Sequence, residues 1–234
     1  MRDLRFHAHS CGELIAQCPL LERLVIFSSE LRGDVKLVDI AKLKNVKVLS
    51  LTLCLLHNMS MVKLSTVFQY LSFLPKLQEL YLSFQKCKFL PEDVAQNPVS
   101  AAFPFLKTLT LCGMDFSSVS MLACAFGILF RCPNLQILYI IAIYENFALP
   151  PAIFPPEVDC STMGQLQLRN VFLVSIKGLD DEVCLIKYML ACSPMLKSIV
   201  IKSSIESNDG NEKYKLATKL LKLHRASPMA EIIF

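Results

Sequence analysis

The sequence predicts an α/β repeat fold, with a curved parallel sheet on the inside and helices on the outside. Three observations predict it. A proline followed by leucine-like residues at the second, fifth and seventh positions recurs as Pro19-Leu21-Leu24-Ile26, Pro75-Leu77-Leu80-Leu82, Pro104-Leu106-Leu109-Leu111, Pro133-Leu135-Leu138-Ile140 and Pro194-Leu196-Ile199-Ile201. A sixth copy has Lys44 in the proline's place before Val46, Leu49 and Leu51, and a degenerate seventh fits Leu166, Leu168, Val171 and Leu173. The copies step along the chain by between 25 residues (Pro19 to Lys44) and 33 (Pro133 to Leu166). Finally, stretches of helical period lie between them. Units of roughly 20 to 29 residues that each supply a strand and a helix or helical turn are leucine-rich repeats, and about seven or eight of them stack into a horseshoe-shaped solenoid.

Taken in order, Leu4 and Phe6 look like the tail of an earlier strand. A first helix is expected over Ser10 to Gln17, where Ser10 and Glu13 have capping-box spacing. In each copy the fifth and seventh positions face the core, and the fourth and sixth face outward from the inner sheet. Helices are expected over Ser60 to Phe73, Ser118 to Phe130 and Asp180 to Ala191. The last opens on Asp180-Asp181-Glu182, acid beside the positive end of a helix. Each repeat proline then stops its helix and releases the chain into a strand. Near the C-terminus, Lys213, Lys215, Lys219, Lys222 and Arg225 alternate with Tyr214, Ala217, Leu220 and Leu221. That spacing predicts an amphipathic helix, capped by Asp209 and Glu212, with a solvated basic face.

Composition narrows the functional classes. Of 234 residues, 53% are hydrophobic, and the mean hydropathy is +0.46. The longest apolar run, Met121 to Phe130, is nonetheless about half of the ~20 residues that a membrane span needs. Met-Arg-Asp-Leu-Arg-Phe-His at the start carries no apolar leader, which points to an intracellular chain, cytoplasmic or nuclear. The 10 cysteines are therefore expected as reduced, buried thiols. Cys18 and Cys132 share the slot before the repeat proline, while Cys124, Cys184 and Cys192 lie in apolar helical segments. A net charge of +4 is too mild to indicate nucleic-acid binding by itself.

No catalytic, cofactor or metal residues are expected. His7, His9 and Cys11 cluster but lack the paired spacings of a zinc site. His57 and His224 adjoin no nucleophile motif, and neither a phosphate loop nor a hydrolase or zinc-protease signature occurs. A cysteine-dependent hydrolase is the competing enzymatic reading, and it would need an exposed thiol of low pKa. The geometry of the repeat favours a binding surface instead. About eight strands roughly 4.8 Å apart make an inner face some 34 Å long, suited to a peptide or protein. Tyr81, Tyr139 and Phe172 are the expected anchors on it, with Arg23, Glu79 and Lys202 supplying polar selection.

The C-terminal third is more specific. Leu-Arg-Asn-Val-Phe-Leu-Val-Ser-Ile-Lys-Gly-Leu (168–179), Asp-Asp-Glu-Val-Cys-Leu-Ile-Lys-Tyr-Met-Leu (180–190), Ser-Pro-Met-Leu-Lys-Ser-Ile-Val-Ile (193–201) and Ala-Ser-Pro-Met-Ala-Glu-Ile-Ile-Phe (226–234) together resemble the FBD domain that ends plant F-box/leucine-rich-repeat proteins. The resemblance implies repeats over 1–165 and an FBD-like repeat and cap over 166–234, continuous with the same solenoid. It also implies a non-enzymatic module that selects a protein target for a Skp1-containing, SCF-type ubiquitin ligase. Met1 to Gln17 are too few for an F-box of about 40 residues, so Skp1 is expected as a partner only if an upstream F-box exists. A truncated, free-standing or decoy repeat protein is the alternative.

Overall fold

The computed structural model describes residues 3–5, 12, 15, 17–27, 35–57, 61–62, 64–89, 103–116, 119–144, 165–204 and 210–234. They belong to two compact units, Met1–Cys112 and Gly113–Phe234. Both are α/β, and both are built on parallel strands compatible with leucine-rich repeats.

In the first unit, β1 (Asp3–Arg5), β2 (Arg23–Ile26), β3 (Val48–Thr52), β5 (Glu79–Ser83) and β7 (Thr108–Met114, to Cys112 in this unit) are parallel neighbours in that order. Leu4 pairs in register with Leu24, Leu24 with Leu49, Leu49 with Leu80 and Leu80 with Leu109. The strand anticipated around Leu4 is thus present. Equivalent repeat positions lie side by side, so the fifth and seventh residues form continuous buried rows: Leu24, Leu49, Leu80 and Leu109, then Ile26, Leu51, Leu82 and Leu111. A leucine in such a row is covered by its neighbours above and below, which one unit alone cannot supply. The one-turn helix α1 (Leu37–Ile40) packs against α2 (Leu64–Leu71).

In the second unit β8 (Ile137–Ala142), β9 (Asn170–Ile176), β10 (Ser198–Ser203) and β11 (Glu231–Ile233) are again parallel. Their buried rows are Leu138, Val171 and Ile199, then Ile140, Leu173 and Ile201. Helix α3 (Val119–Arg131) packs on α4 (Asp180–Cys192), and α4 on α5 (Gly210–Leu221). Tyr188 of α4 meets Phe126 and Phe130 of α3 edge-on at 5.2 and 5.5 Å.

Two backbone devices repeat. The residue before each proline accepts a bond from the leucine two after it: Leu21 to Cys18, Leu77 to Leu74, Leu106 to Phe103, Leu135 to Cys132 and Leu196 to Ser193, at 3.1–3.4 Å. The proline therefore occupies the second position of a turn, where its fixed φ is already correct. One carbonyl per repeat also takes two N–H groups from the next. Glu22 accepts from Lys47 and Val48, Lys47 from Gln78 and Glu79, Gln78 from Lys107 and Thr108, Gln136 from Arg169 and Asn170, and Arg169 from Lys197 and Ser198.

Several expectations need correcting. The helix expected over Ser60 to Phe73 is confined to Leu64–Leu71, because β4 (Met61–Val62) is drawn into a separate parallel ladder with β6 (Lys88–Phe89). The C-terminal helix begins at Gly210 and ends at Leu221. Leu223 turns back onto the Leu220 carbonyl, and Arg225 then donates to the Ala230 carbonyl rather than standing on a helix face. Cys192 is buried as expected but disulfide-bonded rather than reduced. Cys18, Cys54, Cys87, Cys112, Cys132 and Cys184 are free. The capping pairs Ser10–Glu13 and Asp209–Glu212, and Cys124, involve side chains outside the described residues.

Candidate protein-interaction face

Alternation along the strands creates an outward face on each unit. Whereas the fifth and seventh positions are buried, the fourth and sixth are half-buried or exposed in β2, β3, β5, β7, β8, β9 and β10. The same parity carries the eighth position outward at Phe27 and Lys202, which are exposed, whereas Ser83 and Cys112 at that position are buried.

On the first unit, Arg23 and Glu79 are exposed at the fourth position of β2 and β5, with the half-buried Val48 of β3 between them in register. Tyr81, at the sixth position of β5, meets Phe27 edge-on at 5.3 Å. Phe27 is 55% exposed. It stands at the eighth position of its copy, a site that the fourth-and-sixth rule passes over although its parity would have found it. The Tyr81 hydroxyl is pushed up to about 12 by burial first and then by its hydrogen bond to Cys112, with Ser83 pulling the other way. It is thus engaged inside the unit and stays protonated. Gln85 covers Cys112 further, its Nε2 lying 3.7 Å from the sulfur.

On the second unit the two expected anchors come together. Tyr139 of β8 and Phe172 of β9 are in register and stack at 4.5 Å with their planes 8° apart. Val200 of β10 and Ile233 of β11 extend this row in register, and Ile233 is exposed. Ile141 and Val174 lie above it. Lys202, in register with Val174, is exposed at one corner, and Glu231 at the opposite one. Asn170 donates to the Ser198 hydroxyl at 3.0 Å, fixing the polar border below. The arrangement is an apolar, partly aromatic stripe edged by polar groups, as protein-binding faces are.

Sequence reasoning missed a buried carboxylate. Glu182 looks like a solvated first-turn acid, yet it is 1% exposed. Gly178 and Leu179 donate to its Oε2 at 2.6 and 2.8 Å, Lys177 donates from its backbone at 3.2 Å, and Tyr144 donates its hydroxyl to Oε1. The Lys177 ammonium lies 4.1 Å from the centre of the Tyr144 ring, a cation–π contact. Burial pushes the Glu182 carboxyl up to about 7, against the pull of those backbone donors. Gly178 makes the turn possible: it sits at φ +85, and a Cβ there would meet the Leu216 side chain of α5 at 3.1 Å.

Among the described residues no three His, Cys, Asp or Glu side chains gather as a metal site, while His7, His9 and Cys11 lie outside the described residues. Burial pushes Cys87 and Cys132 up to about 12 and raises Cys184 as well, the direction opposite to an activated thiol. No helix among these residues is long and apolar enough to cross a membrane. The run from Met121 to Phe130 is part of α3, where Met121, Leu122, Ala125, Ile128 and Leu129 are buried.

No family model matches the chain, nor does any solved structure. Curated proteins do match. An F-box/FBD/LRR-repeat protein of Arabidopsis thaliana is 25% identical over 94% of this chain and 58% of its own length. A putative F-box/FBD/LRR-repeat protein of the same plant is 25% identical over 96% of this chain and 57% of its own. The chain thus spans under three-fifths of the relatives it matches. Over nearly its whole length it resembles plant F-box/FBD/LRR-repeat proteins, as its C-terminal third suggests when read alone.

Proposed function

We propose that this chain is a non-enzymatic protein-recognition module. In this reading it is a leucine-rich-repeat solenoid of about seven or eight repeats, with repeats over 1–165 and an FBD-like repeat and cap over 166–234. Its outward strand faces hold a protein partner. The observation that carries the reading is the stacked Tyr139–Phe172 pair, set in an apolar row that the fold leaves half-open. Large side chains at such positions lend binding energy without being needed for the core. Arg23, Glu79 and Lys202 are assigned polar selection and Tyr81 a supporting role, since its hydroxyl is engaged internally.

The relatives' F-box name supports a finer assignment, the target-selecting part of an intracellular SCF-type ubiquitin-ligase adaptor, with Skp1 engaged through an F-box upstream. The test joins the sequence upstream of Met1 in the transcript to these residues and asks whether the product retains Skp1. Retention supports the adaptor reading; an open reading frame without an F-box, and no Skp1 binding, leaves a free-standing or decoy repeat protein. For the face itself, proteins retained by the wild type are compared with those retained by a Tyr139→Ala/Phe172→Ala double variant. Loss of a partner at unchanged circular dichroism and melting temperature is expected. A partner held equally by both moves recognition elsewhere.

A further inference from the structure

We propose that Cys54 and Cys87 form a reversible disulfide that pins together the two chain segments leaving β3 and β5. Two ladders bracket the pair: Thr52 pairs with Ser83 on the main one, and Met61 with Lys88 on the small one. Cys54 sits in a 3-10 turn, Leu53–Leu55, of the first segment. Cys87 closes a turn in the second, its N–H donating to the Phe84 carbonyl at 3.1 Å. Lys86, just before it, is held at φ 61, a left-handed conformation that costs energy for a residue with a side chain. That bend brings the Cys87 sulfur against the Cys54 backbone, which hydrogen-bonds it. A cysteine's own sulfur is three bonds from its amide nitrogen, so this contact places the Cys87 sulfur within one side chain's length of the Cys54 sulfur.

Both thiols are free and half-buried, open to a small oxidant. Burial, and after it the charge of Cys54, push Cys87 up to about 12. One sulfur meets the oxidant and the other resolves it. With hydrogen peroxide, the first sulfur gives up its proton and attacks one oxygen, and the O–O bond breaks, leaving a sulfenic acid and hydroxide. The second sulfur, losing its proton, then displaces the second hydroxide as the S–S bond forms. Two thiols give up two electrons and two protons, and one peroxide becomes two waters.

The inference stands apart from the protein-binding reading. To test it, the full native chain is treated with hydrogen peroxide, remaining thiols are alkylated, and peptides are mapped by mass spectrometry. The expected result is a linked Cys54–Cys87 pair, lighter by two hydrogens, reversed by dithiothreitol and absent from C54S and from C87S. Should either variant fail to fold, the wild-type map decides alone. Recovery of both cysteines as separate alkylated peptides, or of either linked to a different cysteine, overturns the proposal.

Discussion

Glu182 shows how much one residue's surroundings can override its type. The unfolded carboxyl ionises near 4.5, while the folded one keeps its proton up to about 7. Between those values the native chain binds the extra proton, so this group's contribution to stability is full at low pH. It is lost as pH rises toward about 7 and then levels off. Asp181, raised by burial and by Asp180, works in the same direction. Urea melts at pH 5 and pH 8 are expected to show a drop of up to roughly 3 kcal/mol from Glu182; Glu182→Gln flattens it, and an unchanged pH profile in that variant would assign the effect to another group. Gly178→Ala is expected to cost about 1–2 kcal/mol, because alanine must adopt a positive φ and push Leu216 aside. None of this is legible in the residues themselves. An acid in the first turn of a helix ordinarily faces water, and Glu182 is buried by Tyr144, which stands 38 residues before it.

At the scale of the element, strands were legible and their surroundings less so. Period-two alternation behind a proline fixes which face of β8 is buried, so Leu138 is inside and Tyr139 is not. Leu138→Ala should destabilise by about 2–5 kcal/mol, whereas Tyr139→Ala should leave the melting temperature nearly unchanged; a large loss in the second would show that its ring is core. By contrast, β4 and β6 are two residues each, too short for any period to reveal. The pattern is also silent about β11, whose Glu231 rather than the residue after it is paired with Ser198. Another irregularity is the bulge in β9, where Lys202 faces Val174 but Ser203 faces Ile176, leaving Ser175 at φ 64. The extra residue returns Ile176 to the core, and the Ile176 carbonyl accepts from the Ser203 hydroxyl and the Ser204 N–H. Ser175→Gly is expected to be neutral or to stabilise by about 0.5–1 kcal/mol, and Ser175→Val to destabilise, on chemical melts. The reverse order would mean that the serine hydroxyl matters more than the backbone angle.

At the scale of the whole molecule, the state of the thiols bears on the enzymatic alternative. The thiols whose titration is resolved are all shifted upward. Cys87, Cys132 and Cys184 should therefore react slowly with a thiol reagent at neutral pH and faster as pH rises, with the buried Cys132 unreacted until the chain is unfolded. Fast reaction of any of these three would revive the hydrolase reading. The carbonyls of Glu22, Lys47, Gln78, Gln136 and Arg169 that each clasp two N–H groups of the following repeat have a wider consequence. Because that clasp is made by main chain alone, successive repeats stay in step whatever side chains the fourth and sixth positions carry. Mutation can rewrite those positions one at a time while the scaffold persists, so a lineage of such chains can diversify that face without first having to invent a new fold.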